Sequence, residues 1–453
     1  MNVWKGVINM RKNCLAAAGL ILILAAGLTA CGGSGNAGNT GNTDNSGNAG
    51  NSGSSEKDTE SVPEKTKGSQ TGSDKPVTLT FWNGFTSTDG DVLQQIVNDF
   101  NESNEYNVTI EMDAMPWATF NEKLPAAIAS GNAPDFVLCS TGYYVPYVES
   151  GSFQDVSDFY ELPGVDKADF DPNIVDLLYY DDLCVGIPMQ VISHYLYWDK
   201  DLYAAAGLDP ETPPKTWEEI MKNAEILTDK SKNQYGFNVP TDNNVVPQYA
   251  MYAYGGSYTN ADETEALLNS EANAKAFESL KVMYDYSPKD GDPNNSISGR
   301  MGQFIDGPWI INGLRENEIN FGVTAVPSCE GMEKDASIIP VGFSVPKTTS
   351  EEHKDLVYKF VQYWNTKEIC SKWTRECGTP AYLLSAQEEF ENDPLTLALS
   401  DPLSYGHVEC KLHGVNSIAT DALYPALGEV FAGADIPTTL DKYNQVIQAI
   451  LDK

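Results

Sequence analysis

Basic residues are scarce in this chain: 29 Lys and Arg stand against 64 Asp and Glu in 453 residues, for a formal charge of -35 at pH 7. A polyphosphate partner needs cations that displace its counterions, so the balance argues against nucleic acid and against anionic membrane surfaces. Histidine is rarer still, with four in the chain, and none is followed by Glu, so no HExxH zinc motif exists. There is no Gly-Lys pair either, which removes a Walker phosphate loop. The apolar run from Cys14 to Leu28 is 15 residues long, short of the ~20 that a membrane-spanning helix needs. No motif calls for a cofactor or a resident metal, and none identifies an enzyme. What is present is ample core material, 41% hydrophobic and 10% aromatic residues, which argues against global disorder.

Lys5, Arg11 and Lys12 precede that apolar run, and small residues close it, so residues 1–30 read as a secretory signal. Met10, just before the Arg11-Lys12 pair, is an alternative start to Met1. Leu28-Thr29-Ala30-Cys31 resembles a bacterial lipobox, which implies cleavage before Cys31 and lipidation of that cysteine. Residues 32–55 carry eight Gly and a near-regular Asn at 36, 39, 42, 45, 48 and 51, a polar composition that cannot bury a core. Residues 31–75 are therefore expected to be a flexible linker behind the lipidated Cys. A GxGxxG match at Gly33 to Gly38 has no strand before it and no helix after it, so it is not a dinucleotide site. The body that remains, residues 76–453, holds 22 basic and 58 acidic residues, a net charge of -36. All the acidity lies there, and its length suits two lobes.

Val77 to Trp82 alternates with Val77, Leu79 and Phe81 on one face, predicting a strand. Val92, Leu93, Ile96, Val97 and Phe100 follow at helical spacing, then Tyr106, Val108, Ile110 and Met112 alternate again. Phe120, Leu124 and Ile128 stack on a second helix that Gly131 ends, with Pro125 inside it as a potential kink. Phe136 to Leu138 is a short buried strand. This β-α-β-α-β order predicts a parallel, doubly wound sheet with ligands at the carboxyl ends of its strands. Further on, Thr216-Trp217-Glu218-Glu219 is a capping box, which makes Trp217 a packing residue, and Leu440, Tyr443, Val446, Ile447 and Ile450 form one face of a closing helix.

The segments VTLTFWNGF, LPAAIASGNAPDFVL and GIPMQVISHYLYWDKDLYAAAGLDPETPPKTWEEI resemble family 1 extracellular solute-binding proteins, the capture subunits of ABC importers. YAYGGSY, IDGPWIINGL, NFGVTAVP and IPVGFSVPK resemble the same family in the same order, so the resemblance covers essentially all of residues 76–453. It implies an α/β, two-lobed, periplasmic-binding-protein-like fold with doubly wound sheets in each lobe and a hinge of three crossings, near Val191 to Ser193, near Val341 to Phe343 and after Thr379. Lobe 1 would take residues 76–191 plus about 343–390, and lobe 2 residues 192–342 plus about 391–453. Ligand contacts to both lobes would then shift the population to a closed state that permease subunits read. A lipid-anchored monomer on the extracytoplasmic face of the cell membrane is expected. One departure is Asp181-Asp182, where the family often has Asp-Gly.

A sugar presents apolar faces and hydroxyl edges, so its pocket needs aromatic walls and orienting amides or carboxylates. Trp82 and Asn83 end the first strand, and Tyr143 and Tyr144 follow the third, one of the two tyrosines facing the cleft. Trp309, in Asp306-Gly307-Pro308-Trp309, resembles the family position whose indole stacks on sugar, and Asp306 could accept hydroxyl bonds. Gln190, His194 and Phe343 lie at the expected crossings, with a buried structural His as the other reading of His194. Asn243, with Asn244 and Gln248, loosely matches a ligand-facing loop. His407, Cys410 and His413 form H-x2-C-x2-H, but closed zinc sites want four ligands, so a solvated or ligand-facing loop is expected there. Tyr179-Tyr180 invites comparison with paired-tyrosine iron sites, although sheet packing accounts for them before a turn.

Six cysteines remain in a mature exported chain once Cys14 and Cys31 are set aside, which permits disulfides. Cys370 and Cys377 can bridge only if no continuous helix holds them, because seven residues of helix span ~10.5 Å. The sequence thus points to a carbohydrate-capturing lipoprotein of an ABC importer, with a polyamine or ferric-iron binder, a glycosidase and a surface adhesin as rivals.

Overall fold

The computed structural model describes residues 75–292, 294–408 and 417–453, with the backbone course alone at 141–143. The strand β1 (Val77–Asn83) alternates as its sequence dictates, with Leu79 and Phe81 buried. It leads into α1 (Thr88–Ser103), whose buried face is Leu93, Ile96, Val97 and Phe100. Next come β2 (Val108–Ala114) and α2 (Trp117–Ser130), which runs through Pro125 and stops at Gly131 with φ of 72°. Only glycine takes that left-handed turn without a Cβ penalty. Then β3 (Phe136–Ser140), buried throughout, enters α3 (Thr141–Glu149).

β1 pairs with β2 and with β3 in parallel, the arrangement that the β-α-β-α-β order predicts. A hairpin follows, β4 (Tyr179–Tyr180) and β5 (Leu183–Cys184), paired antiparallel around Asp181, whose φ is 52°. The left-handed residue is Asp181, a conformation Asp tolerates, and not Asp182 where the family often has Gly; the two tyrosines are half-buried sheet residues. The strand β6 (Ile187–Ile192) leaves this body, and β7 (Tyr195–Asp199) begins the next, where it is flanked antiparallel by β8 (Gln303–Asp306) and β9 (Phe321–Ala325). The long strand β10 (Ser337–Ser344) returns, antiparallel to both β3 and β6, and takes β11 (His407–Val408) on its outer end.

The first sheet is therefore mixed, in the order β11-β10-β3-β1-β2 with β6 on β10, and the second is a three-stranded antiparallel sheet. The α/β architecture stands, but a doubly wound sheet in the second body does not. The reason is directional: β8 and β9 both run opposite to β7 between them, whereas winding needs parallel neighbours, and in the first sheet β10 likewise returns against β6 and β3.

Two large hydrophobic cores result, with smaller clusters beside them. One gathers Leu79, Phe81, Phe136, Val191, Phe343, Phe360, Trp364 and Tyr382, from residues on both sides of the excursion. The other gathers Leu196, Trp217, Tyr249, Phe277, Ile305, Leu423, Leu440 and Ile447. Trp217 is buried with its indole N–H on Ser279 Oγ at 3.1 Å, a packing role. Its helix start is capped by Thr216 Oγ1 on the Glu219 N–H, but the Glu219 carboxylate accepts from the Lys215 N–H, one residue earlier than a capping box places it. The terminal helix Ile436–Leu451 buries Leu440, Tyr443 and Ile447 as its spacing predicts. Cys370 and Cys377 lie on one continuous helix, Lys367–Cys377, and Cys139, Cys184, Cys329, Cys370 and Cys377 are all buried and free. Cys31, Cys410 and His413 lie outside the described residues. Among the described residues no helix is long and apolar enough to cross a membrane.

Candidate ligand-binding site

The carboxyl end of β8 delivers Asp306, and the chain turns at Gly307 into a short helix, Pro308–Ile310, that carries Trp309. Trp309 is half-buried, and its ring lies so close over Gly307 that a Cβ there would meet ring carbons at 2.1–2.4 Å, so a side chain at 307 would displace it. Edge-on to the indole, with centroids 5.6 Å apart at 87°, stands the His194 ring. Asp306 accepts the Gly307 N–H at 2.8 Å. Burial pushes its carboxyl up to about 6, opposed by the Gly307 N–H and by the nearby Ser296 and Trp309 side chains.

The first body reaches the same place. Thr88, opening α1 beyond the carboxyl end of β1, donates its hydroxyl to the Trp309 carbonyl at 3.5 Å. Asp89, next to it, is also pushed up to about 6 by burial, against the N–H groups of its helix start. Gly378, which ends the helix Lys367–Cys377 with φ of 70°, approaches Ile311 so closely that a Cβ would lie 2.3 Å from Ile311 Cδ1. Phe85 stacks on Trp373 with centroids 6.1 Å apart and edges against Trp117 at 6.0 Å. The half-buried Trp309 and two half-buried carboxylates thus come together where the bodies meet, with the Phe85–Trp373 stack in the core behind them.

Asn83, fully buried at the end of β1, turns its Oδ1 to the Phe85 N–H at 2.9 Å and leaves its Nδ2 without a partner. His194 Nδ1, Thr374 Oγ1 and Thr379 Oγ1 are likewise buried and unpartnered. Each such atom costs about 1–3 kcal/mol, and these four lie on segments that meet between the bodies. Burial lowers His194 to about 4, so its imidazole is neutral at pH 7.

The structure buries three of the residues that sequence reasoning assigned to ligand, Tyr144, Phe343 and Gln190, and leaves others at or near the surface. Tyr144 is 1% exposed and donates its hydroxyl to the Cys139 carbonyl at 2.8 Å, so the helix turn after β3 points it into the core. The Tyr143 side chain lies outside the described residues. Phe343 is fully buried among Phe81, Phe136, Phe360 and Trp364. Gln190 is buried in β6 and accepts the Trp373 indole N–H at 3.0 Å, a bond that ties the crossing to the helix behind it. Asn243 is exposed, capping its own turn on the Val245 N–H at 2.8 Å. Trp82 is half-buried against a small cluster that includes Phe120 and Val137. His407 forms a 2.9 Å pair with Asp335, and among the described residues no three His, Cys, Asp or Glu side chains are grouped to hold a metal ion. Thr88 and Asp89, which the structure brings to this place, were missed. Their position, just past the end of β1, is the signal that points to them.

Two packed cores joined by crossing strands, with a half-buried indole and buried polar groups where they meet, define a hinged binding protein. The chain belongs to the bacterial extracellular solute-binding protein family, whose model matches residues 84–369. It is 24% identical over 332 residues to the sn-glycerol-3-phosphate-binding periplasmic protein of Brucella melitensis, covering 69% of this chain and 76% of that protein. Among solved structures it is similar to an ABC transporter solute-binding protein from Thermotoga lettingae bound with α-D-tagatose, with a TM-score of 0.73, 21% identity, and coverage of 83% of this chain and 99% of that one. A Listeria monocytogenes ABC substrate-binding protein in complex with cycloalternan gives a TM-score of 0.73 at 20% identity, covering 83% and 100%.

Proposed function

We propose that this protein captures a carbohydrate, an oligosaccharide rather than a single sugar, by closing two lobes on it, and delivers it to the permease of an ABC importer. The observation that carries the reading is the Trp309 platform, whose indole is backed by Gly307 and edged by His194 at the meeting of the two bodies. An indole face suits the C–H face of a pyranose, and carboxylates such as Asp306 and Asp89 accept hydroxyl pairs. The sugars bound by the solved relatives are in keeping with this. The acidic body, at -36, favours a neutral ligand over the glycerol phosphate named for the Brucella relative.

In this reading lobe 1 comprises residues 76–191 and about 343–390, and lobe 2 residues 192–342 and about 391–453. The protein is a monomer without catalytic activity, exported by residues 1–30 and held to the extracytoplasmic face of the membrane through lipid on Cys31, on the linker of residues 31–75. Calorimetry against maltotriose, mannotriose, cycloalternan, tagatose, glycerol phosphate, spermidine and ferric citrate tests the ligand class. Tight spermidine or iron binding with no sugar response sinks it, and shortened products from an incubated oligosaccharide would make the protein a glycosidase. Trp309→Ala is expected to weaken sugar binding by about 1–3 kcal/mol with the fold intact.

A further inference from the structure

We infer that His194 is a positioning residue that couples the hinge to the Trp309 platform, an assignment whose effect on affinity rests on Trp309 being a ligand contact. Ser193 and His194 are the two residues between β6 of the first sheet and β7 of the second. Any rotation of one body against the other through this crossing is absorbed in their backbone. Tyr249, on the helix Val245–Ala253, pins that point. Its hydroxyl lies 3.0 Å from Ser193 Oγ and accepts the His194 N–H at 3.3 Å and the Ser337 N–H, from the returning strand, at 3.3 Å. One phenol thus gathers two of the crossing segments.

The His194 ring extends from this pin to the platform. It stands edge-to-face with Tyr249, centroids 5.9 Å apart at 75°, and edge-to-face with Trp309 at 5.6 Å and 87°. It is 6% exposed and its Nδ1 has no partner, so two aromatic contacts rather than a polar bond at that nitrogen set its tilt. A turn of the backbone at 193–194 therefore carries the ring edge across the indole, and a ligand pressing on the indole loads the crossing in return. Trp309 is constrained on its other side by Gly307 beneath the ring, so displacement at the His194 edge becomes reorientation of the platform.

The test is a double-mutant cycle read in the proton–nitrogen spectrum of the purified protein, with the Trp309 indole signal assigned by its loss in Trp309→Phe. His194→Ala should shift that signal, and His194→Phe, which keeps a ring edge, should leave it near the wild-type position. Tyr249→Phe, which loosens the pin, should also move it, and that movement should vanish in the His194→Ala background. An indole signal unmoved by His194→Ala, or a Tyr249→Phe shift that persists undiminished without His194, overturns the coupling. The affinity arm uses the tightest sugar of the calorimetric panel. His194→Ala should weaken it about three- to tenfold, in line with one lost edge-to-face contact, and have no further effect in Trp309→Ala. Should Trp309→Ala leave affinity unchanged while the spectral coupling holds, the ligand reading has failed and the positioning role stands.

Discussion

The two bodies lean on different aromatic chemistry. In the first, Phe81 and Phe136 stack with centroids 4.3 Å apart, and Phe100, Phe343, Phe360 and Trp364 close around them. In the second body tyrosines take over, and their hydroxyls are engaged. Tyr195 donates to the Leu399 carbonyl at 2.7 Å, Tyr197 to the Gly307 carbonyl at 3.2 Å and Tyr203 to Gln303 at 2.8 Å. A core dominated by phenylalanine is held mainly by area and shape. A tyrosine core also ties loops to sheets through directed bonds, including the loop at Gly307 that supports Trp309. The first body is mainly a frame that lends Thr88 and Asp89 to the candidate site, and the second carries its Trp309 turn.

The sharpest way to break this contrast is Phe360→Ala. Phe360 is fully buried and faces Phe81, Phe100, Phe136 and Phe343, so truncation should cost about 3–5 kcal/mol, seen as a large fall in the urea midpoint, with sugar affinity of the folded protein retained. A loss of affinity as great as the loss of stability would mean that the frame and the site are not separable. Tyr195→Phe sharpens it from the other side. Its hydroxyl also accepts the Ser193 N–H at 3.2 Å, so removal strands two buried backbone groups at a cost of about 1–3 kcal/mol. Because one of them belongs to the crossing, ligand affinity should fall as well, and a purely stabilising role would leave it untouched.

The smallest effect is electrostatic. Asp89 and Asp306, from opposite bodies, are each pushed up to about 6 by burial. A carboxyl that binds its proton more tightly folded than unfolded opposes folding above its folded value, and that penalty is relieved as pH falls from about 6 toward the ordinary 3.8. These two groups should therefore make the protein more stable at pH 5 than at pH 7. Asp306→Asn should flatten that dependence in urea melts at the two pH values; an unchanged slope would mean that Asp306 is well solvated.

Most of the frame was legible because it is written in periodicity. Leu79 and Phe81 alternate, Leu93, Ile96 and Phe100 recur at helical spacing, and Gly131 marks a stop, so β1, α1, α2 and the parallel pairing follow from local pattern. The direction of β10 was not legible, since alternation says nothing about which way a returning strand runs. The site was read less well. Trp309 sits in a recognisable Asp-Gly-Pro-Trp turn, but Tyr144 and Phe343 are side chains whose face, cleft or core, depends on which neighbours arrive from 139 and from 360–364. Glu219 was displaced by one residue for a similar reason, because a carboxylate takes whichever free N–H the turn leaves nearest.

The unpaired cysteines have a practical meaning. Burial pushes the thiols of Cys184 and Cys370 up to about 11 and that of Cys329 to about 12, and those of Cys139 and Cys377 upward as well. At neutral pH they carry almost no thiolate, the form that reacts with alkylating reagents. With Cys410 replaced and the lipidated end omitted, a single cysteine engineered on the rim near Thr88 would take a fluorophore selectively, and the dye would report occupancy as a change in colour or brightness.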